Sequence, residues 1–153
     1  MVGAMANDRE DLLRHYRESR AKLLAAVDGL SDEQMSDPSI DGWAVKDHLA
    51  HVALWDDIRA DEVRRISEGF ESAWRMTEEQ DDAHNAMGHE LRKSMSAAQA
   101  RWELENSRRK LLDAITAATP EALDPERYGA AGVRSGHEDQ HAAWLQRWRD
   151  EKG

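Results

Sequence analysis

The sequence predicts an all-α fold: a four-helix bundle with an extra helical segment before the third long helix. Three observations carry this. Apolar residues recur at helical spacing in four long stretches, no stretch alternates as a strand does, and there is no internal repeat. A chain of 153 residues suits a single domain, 1–153, with room for a buried core.

The first helix is expected from Asn7 or Asp8, either of which can act as N-cap, to about Asp28, where Gly29 stops it. Leu12, Leu13, Tyr16, Leu23, Leu24 and Val27 form its inner stripe, and His15 sits beside that stripe at the boundary. Residues 30–41 carry turn signals, among them Ser31, Asp32, Pro38 and the pair Asp41-Gly42. A second helix follows from near Ala44 to about Ser67, ahead of Gly69, with Val45, Leu49, Val52, Trp55, Ile58, Val63 and Ile66 inward. His48 lies near the middle of this side. His51 lies toward one edge, in line with Trp55, Ile58 and Glu62. Periodicity admits both histidines to the interior and does not choose between them.

Residues 69–76 read as a loop anchored by Phe70 and Trp74. The extra segment runs from Glu78 to about Leu91; it is polar and holds His84, Asn85 and His89. His84 and His89, like His15, are expected at the surface, the ordinary place for histidine. Ser94 or Ser96 caps the third long helix, which is expected to reach Ala118 with Trp102, Leu104, Leu111, Leu112 and Ile115 inside. Pro120 and Pro125 then break the chain, and residues 124–134 read as a loop. Ser135 caps a last helix from Gly136 to about Arg149, whose stripe is His137, His141, Leu145 and Trp148, flanked by Trp144.

Composition excludes several classes. There is no cysteine, so any transition-metal site must use histidine and carboxylate. A net charge of −10, from 21 basic and 31 acidic residues, argues against nucleic acid, whose phosphates are bound by clustered Lys and Arg. No apolar run reaches the roughly 20 residues of a membrane span. The first eight residues lack the basic and apolar regions of a signal peptide, and a cytoplasmic protein is expected.

His137 and His141 are four residues apart, so a helix stacks them one turn apart on one face. Zinc, nickel, iron and copper all accept imidazole donors placed this way. Paired histidines on helices are common without metal, so the spacing alone does not make a site. The same segment spells H-E-x-x-H, the zinc-peptidase pattern in which Glu138 would activate water. A peptidase is discounted. Trp144 and Arg147 stand where an extended motif needs Gly and His, only Glu151 remains downstream as a carboxylate, and no edge strand is present to hold a peptide.

The run from Gly42 to Trp55, GWAVKDHLAHVALW, resembles the GWSVKD-x-L-A-H-x-x-x-W signature of the DinB/YfiT-like superfamily, and the later His-x-x-x-His resembles its second element. Asp81-Asp82, Asn85 and Ser94 are similar to the ClbS/DfsB-type subgroup. The resemblance implies a four-helix bundle, often a homodimer, with three histidines holding a divalent transition metal such as zinc, nickel or iron. Aligned on Trp43, the ligands fall on His51, His137 and His141. His48 stands where that superfamily usually has an aliphatic residue, which leaves open an exchange of ligand or a supporting role. A three-histidine site keeps coordination positions free, as catalytic zinc does. The resemblance also implies thiol-dependent transferases and isomerases, using mycothiol or bacillithiol, and a metal-dependent enzyme that acts on a small organic molecule by hydrolysis or thiol transfer is expected. The alternative is a metal-free binding, sequestration or self-resistance protein on the same scaffold. Trp43, Trp55, Trp144 and Trp148 are expected to pack in the core, although Trp55 and Trp144 are also placed to wall a pocket beside the metal. Glu62 is expected in a salt bridge, and Asp56, Asp57 and Glu138 are left without a role.

Overall fold

A computed structural model describes residues 2–152, with side chains from Asp8 onward; Met1 and Gly153 lie outside the described residues. Four long helices dominate: α1 (Val2–Val27), α3 (Val45–Ser67), α5 (Ala97–Thr116) and α6 (His137–Lys152). Between them lie a single-turn helix α2 (Asp32–Ser36), the extra helix α4 (Glu78–Arg92), and two 3-10 turns at Glu121–Leu123 and Pro125–Arg127. No strand forms among the described residues; one isolated bridge joins Ile40 and Trp43.

Helix direction follows from which ends meet. Arg20 reaches Glu138 and Arg149 reaches Ala26, so α1 and α6 run parallel. Leu23 and Val27 share a cluster with Val45 and Leu49, and also with Ala97 and Ala100, so α3 and α5 both run against α1. The consecutive long helices α3 and α5 are therefore parallel, and α4 carries the chain back between them. α6 returns antiparallel to α3, which brings His137 and His141 opposite His51 and His48.

The interior is layered. One apolar cluster joins Leu12 and Tyr16 of α1 with Val63 and Ile66 of α3 and Leu111 and Ile115 of α5. A second joins Leu23, Val45, Leu49, Val52, Leu104 and Leu145 toward the other end. Between them lies a buried charged layer. Asp56 accepts from Arg20 (3.3 Å), Arg59 (3.3 Å) and Arg108 (3.0 Å), while Glu138 accepts from Arg20 and Arg108, each at 2.7 Å. Burial alone would lower the Arg108 pKa. Asp56 and Glu138 reverse this and hold the guanidinium charged.

Several local expectations are corrected. α1 begins at Val2, so Asn7 and Asp8 lie inside the helix; the Ala4-Met5-Ala6 run favours helix strongly enough to extend it. Residues 32–36 are helical because Ser31 and Gln34 close a capping box, with Met35 buried beneath. Ser96, not Ser94, caps α5 by accepting from the Gln99 N–H at 3.0 Å. α5 stops at Thr116, short of Ala118, and α6 runs past Arg149 to Lys152. Trp102 is 61 % exposed, because it faces away from the Leu104–Leu111–Ile115 stripe, and Leu24 lies half exposed at the edge of its own stripe. Phe70 is 69 % exposed. Gly69, with φ 92°, turns the chain outward before it. The loop is anchored instead by Trp74, packed near Trp55 and Ile58, and by fully buried Glu62. Glu62 accepts from the Ser72 hydroxyl and from the Ala73 (3.0 Å) and Trp74 (3.3 Å) N–H groups, and pairs with Arg65 at 3.1 Å.

Candidate metal centre

A tight turn sets the first half of the site. Asp41 (φ 52°) and Gly42 (φ 87°) take consecutive left-handed conformations, and Ile40 and Trp43 exchange backbone hydrogen bonds at 3.0 Å. The Asp47 carboxylate then accepts from the Ala44 N–H at 2.8 Å, fixing the first turn of α3. From this start His48 and His51 project toward α6. On α6, the Ser135 hydroxyl accepts from the His137 N–H at 3.1 Å, and His137 and His141 face back.

Three imidazoles converge. His51 Nε2 lies 2.9 Å from His137 Nε2, which lies 3.0 Å from His141 Nε2. Ligand atoms of His51, His137 and His141 all fall within 4.8 Å of one another. His48 is not in this set. It stands behind His141, Nδ1 to Nδ1 at 2.8 Å, and its own Nε2 is buried without a partner.

The donor set fits a metal ion. A ring nitrogen has one in-plane site, filled by either a proton or a lone pair. His137 Nε2 cannot therefore make good hydrogen bonds to two other Nε2 atoms at once. A shared cation satisfies all three lone pairs together. Two imidazole nitrogens bound tetrahedrally to one zinc-like ion at about 2.0–2.1 Å sit about 3.3 Å apart, a few tenths of an ångström wider than the spacing seen.

Burial also keeps the imidazoles neutral, the form that binds metal. It lowers His51 to about 3, with help from His137, and His141 to about 2, again with His137. His137 falls to about 4 through burial and the Arg59 charge; His48 falls to about 4 although Asp47 opposes the shift. Unfolded imidazoles protonate near 6.5, so below that pH the unfolded chain binds more protons than the folded one. The metal-free protein accordingly loses stability as pH falls from about 6.5 toward about 4. Thermal melts in chelator across that range check this; a melting temperature that stays flat down to about pH 5 would contradict it.

Beside the cluster opens a cleft of about 820 Å³, walled by Trp43, Trp144 and Trp148, with Gln140 and Arg147 also on its lining. Trp144, 45 % exposed, thus walls the pocket instead of packing in the core. Trp55 does not: it packs with Ile58 and Ala131 and donates its indole N–H to Asn85 at 2.8 Å. Gln140 and Arg147 were not singled out as cleft residues by the sequence, although they share a helical stripe with Trp144. The histidines expected at the surface are half-buried. His89 stacks on Trp43, with ring centroids 4.4 Å apart, and lies 3.4 Å from Asp47. His84 packs edge-on to Trp55 and Trp74, and His15 Nε2 lies 2.7 Å from the Ser135 carbonyl.

Glu138 points away from the histidines into the charged layer, both oxygens taken by Arg20 and Arg108. A carboxylate so committed is no base for water, which removes the peptidase reading of H-E-x-x-H. Asp57 pairs with Lys110 at 3.5 Å near the surface, far less enclosed than its neighbour Asp56.

No helix among the described residues is long and apolar enough to cross a membrane. A family model for the DinB superfamily matches residues 15–148, and the chain belongs to that superfamily. No curated protein and no solved structure matches it.

Proposed function

We propose that this member of the DinB superfamily is a metal-dependent enzyme acting on a small organic molecule, as a hydrolase or a thiol-dependent transferase. His51, His137 and His141 are its proposed ligands, for a divalent ion such as zinc, nickel or iron. The observation that carries the reading is the position of His137 Nε2, within 3.0 Å of two other ring nitrogens that it cannot satisfy by hydrogen bonding.

When bound, a divalent ion supplies Lewis acidity, polarising a carbonyl or lowering the pKa of water or a thiol. The chain's own residues do the rest. Neutral imidazoles leave the ion's charge uncancelled. Trp43 and Trp144 lie edge-on to the histidines, 5.4 Å from His51 and 5.0 Å from His141, and shield them from water. The cleft beyond provides apolar walls for an organic substrate, with Arg147 as the cation on its lining.

The second reading, metal-free sequestration, draws on the same cleft, which extends from the histidines to Trp148 and Glu151. Turnover of a panel of activated esters and thiol–electrophile pairs separates the two. Enzyme function predicts turnover that chelation abolishes, that zinc, nickel or iron(II) restores, and that the His51→Ala/His137→Ala/His141→Ala variant lacks. Undiminished turnover by that variant would contradict the proposal. Binding of a panel compound by the variant at full affinity, with no turnover by either protein, would favour sequestration.

A further inference from the structure

We propose that His48 is a positioning residue for His141, accepting its Nδ1 proton and so holding its Nε2 bare toward His51 and His137. The inference rests on the metal site proposed above and concerns a residue outside the ligand set.

A neutral imidazole carries one proton on one of two nitrogens. His141 Nε2 lies in the cluster, 3.0 Å from His137 Nε2. For that nitrogen to offer a lone pair, the proton must sit on Nδ1. Among the described residues the partner of His141 Nδ1 is His48 Nδ1, at 2.8 Å. His48 Nδ1 must then be the acceptor, which puts the His48 proton on Nε2. In the opposite arrangement His48 donates, His141 carries its proton on Nε2, and that proton points into the cluster and blocks a cation. The contact between the two rings therefore selects between a site open to metal and one closed to it.

The burial of His48 points to a role beyond filling space. It is 5 % exposed and its Nε2 has no partner, an arrangement that filling space alone does not explain, since a leucine would do so without enclosing an unpaired polar atom. The ring stands at 66° to His141 with centroids 5.0 Å apart, so the contact is edge-directed rather than stacked. His51 and His137 have no such partner behind them among the described residues. An acceptor behind a ligating histidine in this way fixes its tautomer and ring orientation.

The test uses zinc as probe, with affinity measured by competition against a chromophoric chelator, for the full chain and two variants. His48→Leu keeps the volume and removes the acceptor; His48→Asn places an amide oxygen where Nδ1 stood. His48→Leu is expected to weaken zinc binding about 10- to 100-fold, and His48→Asn to retain most of the affinity. Nitrogen-15 NMR of the zinc-loaded wild type is expected to show the His141 proton on Nδ1 and the His48 proton on Nε2. Equal zinc affinity in His48→Leu and wild type would overturn the inference, as would equal losses in His48→Asn and His48→Leu, or a His141 proton on Nε2. If His48→Leu fails to fold, the wild-type tautomers decide. Failure of the wild type to bind zinc, nickel or iron(II) would overturn the metal site and this inference with it. Tight wild-type binding with an unaffected His48→Leu overturns this inference alone.

Discussion

Asp56→Asn is expected to destabilise the fold by about 3–5 kcal/mol, the range for breaking a buried ion pair from one side. Asp56 is almost wholly enclosed and accepts from Arg20, Arg59 and Arg108 at 3.0–3.3 Å. Neutralising it leaves Arg20 and Arg108 sharing the single carboxylate of Glu138, and Arg59 without its carboxylate partner. An isosteric amide keeps the shape and removes the charge, so packing contributes little to the loss. The adjacent Asp57→Asn is the control. Its partner Lys110 is half exposed, and such pairs contribute about 0–1 kcal/mol. Urea unfolding of both variants gives the comparison, and similar losses at the two positions would mean that the charged layer does not hold the bundle.

His137→Ala is expected to weaken divalent-metal binding by more than about 100-fold, beyond the range for residues that only support a ligand. His137 is singled out because its Nε2 sits between the other two, at 2.9 Å from His51 and 3.0 Å from His141. Removing it leaves His51 and His141 as a two-donor remnant across a gap. Its helix should survive, since alanine is the better helix former and His137 lies in the first turn of α6. Competition titration with zinc, alongside circular dichroism to confirm the fold, measures the effect. Wild-type affinity in His137→Ala would remove it from the ligand set.

The two outcomes share a structural cause. Glu138 follows His137 directly, and the arginines that grip it set the rotation of α6 about its axis. That rotation turns His137 and His141 toward α3. The buried charges and the histidines are thus successive levels of one helix packing arrangement.

How much of this could be read beforehand depended on local signals. The bounds of α3 were legible because Asp41-Gly42 and Gly69 punctuate it and seven apolar residues keep one period. The family motif then separated His51 from His48, which periodicity could not do. Trp102, Leu24 and Phe70 misled for a common reason: an apolar residue near a stripe is buried only if another helix reaches it, and that is a long-range matter. The charged layer was hidden for the opposite reason. Asp56 and Glu138 carried no assigned role and Arg108 is one charge among many, yet each lies at inner spacing, Asp56 four residues after Val52, Arg108 four after Leu104, and Glu138 four before Ala142. Spacing read without regard to residue type would have found them. The His48–His141 contact had no local signal, because it joins residues 93 positions apart.

Elemental analysis of protein purified without an affinity tag, from metal-replete cells, decides whether the three histidines hold an ion. Close to one equivalent of zinc, nickel or iron per chain is expected, and its loss in the His51→Ala/His137→Ala/His141→Ala variant. A folded wild-type protein that carries no metal, and takes none up when each ion is supplied, would contradict it.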